Sequence, residues 1–275
     1  MSKITVTTIA GLTSGGDANK VKIESGDTLE VVSNATVGGT LGVTGASTFS
    51  GNIGKVSSGL SPEIDIHVKT ASGNPEVRVE STGANYATYG LKNSSRVYST
   101  QIRTDQSNAY VVRDETAGAN RLLIDTSGHI TAPNQPAFQA QLTNTYSNFP
   151  VNTDNTVPFG TERFDNNADY NTSTYTFTAP VTGKYQLNVH LLVEGVQNTP
   201  NYYQVQLTTS NKVYYETFDP RGFDTTTSYL CLQSSPLADM DANDTAKVII
   251  HQQAGNATSD LNATTCLFNG YLVVA

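Results

Sequence analysis

Residues Thr265–Val274, TCLFNGYLVV, show the pattern from which the fold class follows. Leu267 and Tyr271 fall on one side of an extended chain, and Phe268 and Leu272 fall on the other. This period of two is typical of a β-strand with one buried face. Further short strand-like runs precede it, bounded by turn residues: PAFQAQL, TVPFG, STYTFTAP, KYQLNVHLLVEG, YYQVQLTT, KVYYETF, SYLCLQSS and AKVIIHQQ. Their spacing predicts a β-sandwich.

The composition extends the β prediction to the whole chain. Of its 275 residues only 15% are charged, against about 25% in ordinary domains, and Ser, Thr, Asn, Gln and Tyr fill the difference. Strand and turn formers dominate, which predicts an almost all-β protein. Low charge argues against disorder, and a net charge of −8 gives no footprint for nucleic acid. No apolar run is long enough to span a membrane, and we expect no signal peptide.

A six-residue repeat occupies residues 31–58. Val31, Val37, Val43 and Phe49 recur every six residues in a Gly-, Ser- and Thr-rich background, which favours very short strands joined by tight turns. One copy of so thin a strip has no second layer to cover its apolar row. Three copies around a common axis would bury it, so the repeat predicts a trimeric β-shaft. A flexible Gly/Thr/Ser linker is the alternative interpretation.

Two regions flank this shaft. Residues 1–30 read as short strands around a Ser-Gly-Asp turn and predict a hairpin that either anchors the molecule to a larger particle or simply caps the shaft. Residues 59–132 hold alternating runs, which predict an antiparallel meander with one face in water. These runs are EIDIHVK (63–69), EVRVE (76–80), YVVRD (110–114) and RLLID (121–125). Pro133 and Pro136 then interrupt strand pairing and mark the start of a domain over 134–275.

This last domain resembles a known family. The main resembling stretch is Phe164–Tyr185, FDNNADYNTSTYTFTAPVTGKY, and the closing Phe268–Leu272, FNGYL, also matches in place. On these motifs it is similar to the globular head of complement and collagen-related proteins, a relative of the tumour-necrosis-factor jelly roll. The resemblance implies a ten-strand jelly roll that assembles as a homotrimer at the end of an elongated stalk. The Gly-rich repeat and RLLIDTSGHITAPNQPAF are also similar to fibre proteins of tailed bacteriophages.

No catalytic or cofactor-binding motif is present in the sequence. The four histidines, His67, His129, His190 and His251, fall on separate predicted strands without partners at metal-ligand spacing. The run Asp239–Asp244 starts like a calcium loop, but Asp244 stands where an EF-hand needs glycine, so a solvated acidic turn is favoured over a looser Ca²⁺ site. Cys231 and Cys266 form no motif and are predicted to be free and buried in strands, with a disulfide left open.

Two aromatic loops are the candidates for receptor contact. The first is Gln197–Tyr203 and the second is Phe218–Asp224. Flat aromatic faces beside Asp, Asn and Arg suit a saccharide surface, whereas the alternative is that the aromatics belong to the core or to an interface. The candidate contact residues are Tyr202, Tyr203, Asp219, Arg221, Phe223 and Asp224.

The leading hypothesis is a non-enzymatic, homotrimeric virion fibre of a tailed phage. Its N-terminus would attach to tail or capsid proteins, and its head would touch a saccharide or protein of the host surface. Alternatives are a head or tail decoration without a receptor, a polysaccharide-degrading enzyme, and a bacterial surface or secreted binding protein. We expect no cofactor, no nucleic acid and no membrane insertion.

Overall fold

The computed structural model describes residues 77–275 of the chain. Strands dominate this part, and its helical elements are two 3₁₀ turns, Thr104–Gln106 and Pro220–Gly222. The all-β prediction is therefore confirmed for residues 77–275. The hairpin predicted for 1–30, the shaft predicted for 31–58 and the strand predicted for 63–69 lie outside the described residues.

The first five strands form one antiparallel sheet, the N-terminal sheet, in the order in which they occur along the chain. They are β1 (Ala87–Lys92), β2 (Val97–Arg103), β3 (Ala109–Asp114), β4 (Ala119–Ile124) and β5 (Ile130–Thr131). The predicted runs YVVRD and RLLID fall in β3 and β4, whereas β1 and β2 were not predicted. The strand predicted over 76–80 is wrong for its described part, because residues 77–80 pair with no other strand among residues 77–275.

The two faces of the N-terminal sheet differ in character. Ser99 and Gln101 on β2 are buried, and they share hydrogen bonds with the Glu115 carboxylate just after β3. On the opposite face, large apolar side chains such as Tyr89 and Leu91 are exposed. The predicted antiparallel meander is present in the described residues, and the face that is exposed in one copy carries apolar side chains, because the polar residues of the other face bond to one another.

A buried carboxylate stands at one end of this sheet. The Asp114 side chain is fully buried and bonds to the guanidinium groups of Arg96 and Arg121, the latter at 2.9 Å, while Ala117 N donates to Asp114 Oδ1 at 3.0 Å. A register shift after Val112 brings Arg121 to this position. The hydrogen bond from Arg121 is the main reason why the pKa of Asp114 falls to about 2.

We expect an Asp114→Asn variant to reveal this contribution through its pH dependence. The pKa of Asp114 is lowered in the folded state from 3.8 to about 2, so its stabilising effect is complete above about pH 4 and is lost as the pH falls through 2. Urea unfolding of both proteins, followed by circular dichroism, should give a higher midpoint for the wild type at pH 6. The difference should shrink towards zero near pH 2. A difference that stays constant with pH would contradict the electrostatic origin.

The remaining strands form the two sheets of the C-terminal domain. One is six-stranded, in the order β13-β12-β16-β10-β9 with β7 beside β16; the other is seven-stranded, in the order β14-β11-β18-β6-β8 with β15 and β17 beside β11. Their bounds are β6 Ala137–Gln141, β7 Asn155–Thr156, β8 Thr161–Asp165, β9 Tyr170–Asn171, β10 Thr176–Thr178, β11 Gly183–Val196, β12 Tyr202–Thr209, β13 Val213–Phe218, β14 Thr227–Ser234, β15 Leu237–Met240, β16 Thr245–Gln253, β17 Asp260–Leu261 and β18 Leu267–Val274.

The core lies between these two sheets. Alternate residues of β11, from Tyr185 to Val193, point inward, and Tyr203, Val205 and Leu207 of β12 oppose them from the other sheet. Such facing of two alternating sheets is the arrangement of a β-sandwich. The segment between β5 and β6 contains Pro133 and Pro136 and has no strand, in agreement with the predicted interruption.

Candidate functional site

Three loops of the C-terminal domain converge at one end of the sandwich. They connect β11 to β12 (197–201), β13 to β14 (219–226) and β16 to β17 (254–259). Gln197 joins the first loop to the third, because its Nε2 donates to Thr258 Oγ1 at 2.9 Å and its Oε1 accepts from Asn256 N at 3.0 Å. Asn198 Nδ2 reaches the second loop at the Phe223 and Asp224 carbonyls, both at 3.2 Å. We call these three segments the loop cluster.

A tight packing contact also holds the first and third loops together. Gly255 has φ +79°, and a Cβ at this position would lie 2.8 Å from Pro200 Cγ. Both the left-handed backbone and this close approach require glycine. The loop cluster is therefore a constrained surface and not a set of independent loops.

Four of the six predicted contact residues lie in the second loop. The Asp219 carboxylate accepts from Arg221 Nε at 2.9 Å and from Arg221 Nη2 at 2.7 Å. This bidentate pair lowers the pKa of Asp219 to about 2, so the carboxylate stays charged at neutral pH. Phe223 is partly exposed and contacts the Phe218 ring, and Asp224 is exposed beside it. The loop thus presents a charged pair next to an aromatic ring.

The two tyrosines predicted as contact residues lie in different environments. Tyr202 is half-buried on the outer face of the six-stranded sheet and stacks on the His251 ring at a centroid distance of 5.7 Å. Tyr203 points into the core with no exposed surface, and its hydroxyl accepts from Gln197 N at 3.1 Å and lies 2.9 Å from Ser259 Oγ. Tyr203 is therefore a core residue that braces the loop cluster, and its selection as a contact residue is corrected.

Sequence reasoning missed a polar group beside Tyr202. His251 Nδ1 lies 2.7 Å from Asp154 Oδ1, and Gln206 Nε2 donates to the same oxygen at 3.1 Å. Asp154 is 97 residues from His251 in the chain, so no local motif signals their meeting. With Tyr202 they extend the candidate surface from the loop cluster onto the outer face of the six-stranded sheet.

The outer face of the seven-stranded sheet has a different character. A row of amides runs across it, with Asn188 Nδ2 donating to Asn269 Oδ1 at 2.9 Å and Gln186 Nε2 donating to Asn188 Oδ1 at 3.1 Å. Large apolar side chains surround this row and are about half exposed or more: Tyr229, Leu237, Tyr271, Val273 and Val274. Exposed apolar groups gathered on one face are typical of a protein–protein contact surface.

The predicted acidic turn uses its carboxylates internally. Asp244 Oδ2 accepts from Asp241 N and from Asn211 Nδ2, both at 2.8 Å, and Asp239 pairs with Lys184. Three or more metal-binding side chains come together nowhere in residues 77–275. The acidic run is therefore a turn in which the Asp244 carboxylate accepts hydrogen bonds from neighbouring groups.

The histidines and cysteines lie at separate places. His129 pairs with Asp125 in the N-terminal sheet, His190 lies 2.7 Å from Gln233 Nε2, and His67 is outside the described residues.

Both cysteines are free; Cys266 is buried, which raises its pKa to about 11, but Cys231 is exposed on β14. The prediction that both are buried is therefore wrong for Cys231, which faces outward from an edge strand.

Comparison with known proteins agrees with this architecture. The two packed sheets define a jelly-roll domain, and residues 137–273 match the C1q domain family. The C-terminal part of this chain is therefore a C1q-like globular domain, and such domains generally bind other molecules and are not enzymes. No curated protein matches the chain. No helix within residues 77–275 is long and apolar enough to cross a membrane.

Two solved structures illustrate the similarity. The globular domain of zebrafish complement 1qA protein is 18% identical over 51% of this chain and 98% of its own, with a TM-score of 0.40. Murine APRIL, in a crystal structure at pH 8.0, is 13% identical over 51% of this chain and 100% of its own, with a TM-score of 0.38.

Proposed function

We propose that this chain is a homotrimeric virion fibre of a tailed phage whose C-terminal domain binds the host surface. The observation that carries the proposal is the C1q-like domain over residues 137–273, which follows a six-residue repeat of the type expected for a fibre shaft. The N-terminal residues would attach the fibre to other virion proteins, and the localisation would be the particle exterior. Binding is to a saccharide or protein of the host, without enzymatic activity.

The trimer contact is assigned to the outer face of the seven-stranded sheet. C1q-like domains are commonly trimeric, and this face combines half-exposed apolar side chains with amides that are able to bond to a neighbouring copy. Burial of Tyr229, Leu237 and Tyr271 against neighbouring copies would remove their apolar surface from water. A trimer also places three loop clusters on one particle.

Host binding is assigned to the loop cluster together with Tyr202. Its Phe223 ring and Arg221–Asp219 pair suit stacking and hydrogen bonding to a polar ligand, and Gln197 holds the three loops in position. Three linked sites raise avidity by about 10²–10⁴ over one site when geometry permits, so weak single contacts are sufficient. A substitution in the site is present in all three copies, so it is expected to weaken adhesion more than it weakens a single site.

The test measures mass and adhesion on the full chain. Tyr271→Lys is expected to shift the sedimentation mass from trimer towards monomer, whereas Tyr215→Lys, which changes a somewhat more exposed tyrosine on the other sheet, leaves the trimer intact. Arg221→Ala with Phe223→Ala is expected to keep the trimer but lose binding to host cells, and Lys212→Ala in the β12–β13 turn serves as the control for loss of an exposed cation away from both surfaces. A monomeric wild type at micromolar concentration would refute the proposal.

A decoration protein without a receptor is the second candidate. It is favoured by the internal pairing of Asp219 with Arg221, which leaves fewer free groups for a ligand. Purified trimer that remains on the virion but binds no host cell would select this function. Release of sugars from host polysaccharide would instead indicate an enzyme.

A further inference from the structure

We propose that the apolar face of the N-terminal sheet is a contact surface for two further copies of this chain. The inference rests on the proposed trimer but concerns a different part of the molecule, outside residues 137–273. This apolar face is formed by Ala87, Tyr89, Leu91, Tyr98, Ile102, Tyr110, Val112, Leu122, Ile124 and Ile130.

Strand register places these side chains on one face. Leu91 pairs with Tyr98 between β1 and β2, Ile102 pairs with Tyr110 between β2 and β3, and further pairs continue to β5. Directly paired residues of antiparallel strands point to the same side of a sheet, so the apolar groups form continuous rows across all five strands. The face is thus a single surface and not a scatter of exposed residues.

The apolar face is exposed in one copy. Leu91 is 61%, Tyr89 58% and Ile130 69% exposed, and Tyr98, Ile102 and Tyr110 are each more than a third exposed. Isolated exposed apolar residues are normal, but a continuous apolar sheet face in water marks an interaction site. A single-layer sheet needs a second layer to bury such a face.

The opposite face is already closed by polar contacts. Arg103 bonds to Asp105 and Gln101, and Arg113 bonds to Glu115 and Asn120. Beneath this layer Val111 is fully buried. The polar side chains of this face therefore find their hydrogen-bond partners within one chain. Only the apolar face lacks a covering layer in one copy.

Charge balance favours identical copies as the partner. Residues 77–131 carry six Lys/Arg and five Asp/Glu, although the whole chain carries 16 and 24. The charges at the sheet ends are also paired within each copy, as in Arg96–Asp114–Arg121. Like copies of this region therefore approach one another without strong repulsion.

A short segment connects the N-terminal sheet to the C-terminal domain, so trimerisation of that domain would bring the apolar faces of the copies close together. Five residues, 132–136, separate β5 from β6, a span of at most roughly 20 Å. This segment is fastened to the domain, since Leu272 N donates to the Pro136 carbonyl at 3.1 Å and Asn167 Nδ2 donates to the Asn134 carbonyl at 3.1 Å. β6 pairs with β18, whose Tyr271 and Val273 belong to the proposed trimer contact. A trimer of C-terminal domains thus holds three apolar faces at high effective concentration.

Tryptophan probes test whether the apolar face is covered. The chain contains no Trp, so each substitution gives a single fluorophore in the full chain. Tyr89→Trp reports on the apolar face, and Thr88→Trp, its exposed neighbour on the opposite face of β1, is the matched control. We expect blue-shifted emission and several-fold weaker acrylamide quenching for Tyr89→Trp than for Thr88→Trp in the trimer fraction. Equal, strong quenching of both in a trimer of unchanged mass overturns this inference and leaves the proposed function standing.

Cross-linking identifies what covers the face. Thr100 on β2 pairs with Tyr89 and with Val112 and so lies within the apolar face. Thr100→Cys, with Thr88→Cys as control, is made in a Cys231→Ser background and treated with a bifunctional maleimide. Covalent dimers that contain two differently tagged chains are expected for Thr100→Cys alone, because each chain then offers one accessible thiol. Protection of Tyr89→Trp without cross-links between chains would mean that another segment of the same chain covers the face, which overturns the inference. A monomeric mass for the unmodified chain refutes the proposed function and this inference together.

Discussion

Phe138→Ala is expected to destabilise the C-terminal domain by about 3–5 kcal/mol. The ring is 1% exposed and stacks on Phe177 with a centroid distance of 4.6 Å and on Tyr170 at 5.2 Å, while Phe268 meets it edge-on at 5.0 Å. It joins β6 and β18 of one sheet to β9 and β10 of the other. Its removal loses aromatic contacts and leaves a cavity between two sheets that are too rigid to close it.

Guanidinium unfolding at several protein concentrations measures this loss and separates it from any change in assembly. Tyr215→Ala is the control, because Tyr215 lies on β13 of the six-stranded sheet, away from the proposed trimer contact, and is 59% exposed. We expect the control to change the free energy of unfolding by about 0.5 kcal/mol or less. Similar losses for the two variants would contradict the assignment of Phe138 to the centre of the core.

Gly270→Ala should have the second largest effect, about 1–3 kcal/mol of destabilisation. Gly270 lies in the middle of β18, opposite Leu187 on β11 and Phe138 on β6. A Cβ there would stand 2.6 Å from Leu187 Cδ2, 3.0 Å from Phe138 Cε1 and 3.1 Å from the Gln186 carbonyl oxygen. The Leu187 side chain is able to shift, but the backbone carbonyl and the stacked ring are held by their neighbours.

Thermal and denaturant unfolding of Gly270→Ala, compared with Gly222→Ala, checks this expectation. A Cβ on Gly222 meets no heavy atom within 4 Å, so the control removes the same backbone freedom without crowding. If both variants unfold at the wild-type midpoint, the close packing of β18 against β11 is not as the structure has it. A combined Phe138→Ala and Gly270→Ala variant should lose less than the two single losses together, because the smaller side chain makes room for the added Cβ.

Several strands were predictable with accurate bounds. YYQVQLTT corresponds to Tyr202–Thr209 of β12, and KYQLNVHLLVEG lies within Gly183–Val196 of β11. Both stretches bury one alternating set of side chains, so periodicity in the sequence reports the structure directly. By contrast, β1 and β15 were missed: the first is rich in exposed residues, and the second has four residues and is too short for a pattern.

The candidate site was predictable where it is local in the chain. Asp219, Arg221, Phe223 and Asp224 stay together because one loop, residues 219–226, contains them. Tyr202 and Tyr203 are adjacent, yet one is half-buried on the surface and the other is in the core, as alternation along β12 requires. Asp154, just before β7, and His251 on β16 are 97 residues apart in the chain, so no short motif was able to reveal their contact.

Alternating apolar residues, turn residues between them and the low content of charge were enough to predict an almost all-β chain with a β-sandwich at its C-terminal end, and the spaced motifs of Phe164–Tyr185 and Phe268–Leu272 added the resemblance to a C1q-like head. These features act over a few residues, because the direction of a side chain depends on its own strand. Only the tertiary structure decided which strands pair, for example β11 with β14, β15, β17 and β18. The sequence does not show this, because backbone hydrogen bonds are nearly the same for every pair of strands. The tertiary structure also decided which face of the N-terminal sheet is exposed in one copy. The polar side chains bond to one another on one face, and the apolar side chains of the other face remain in contact with solvent.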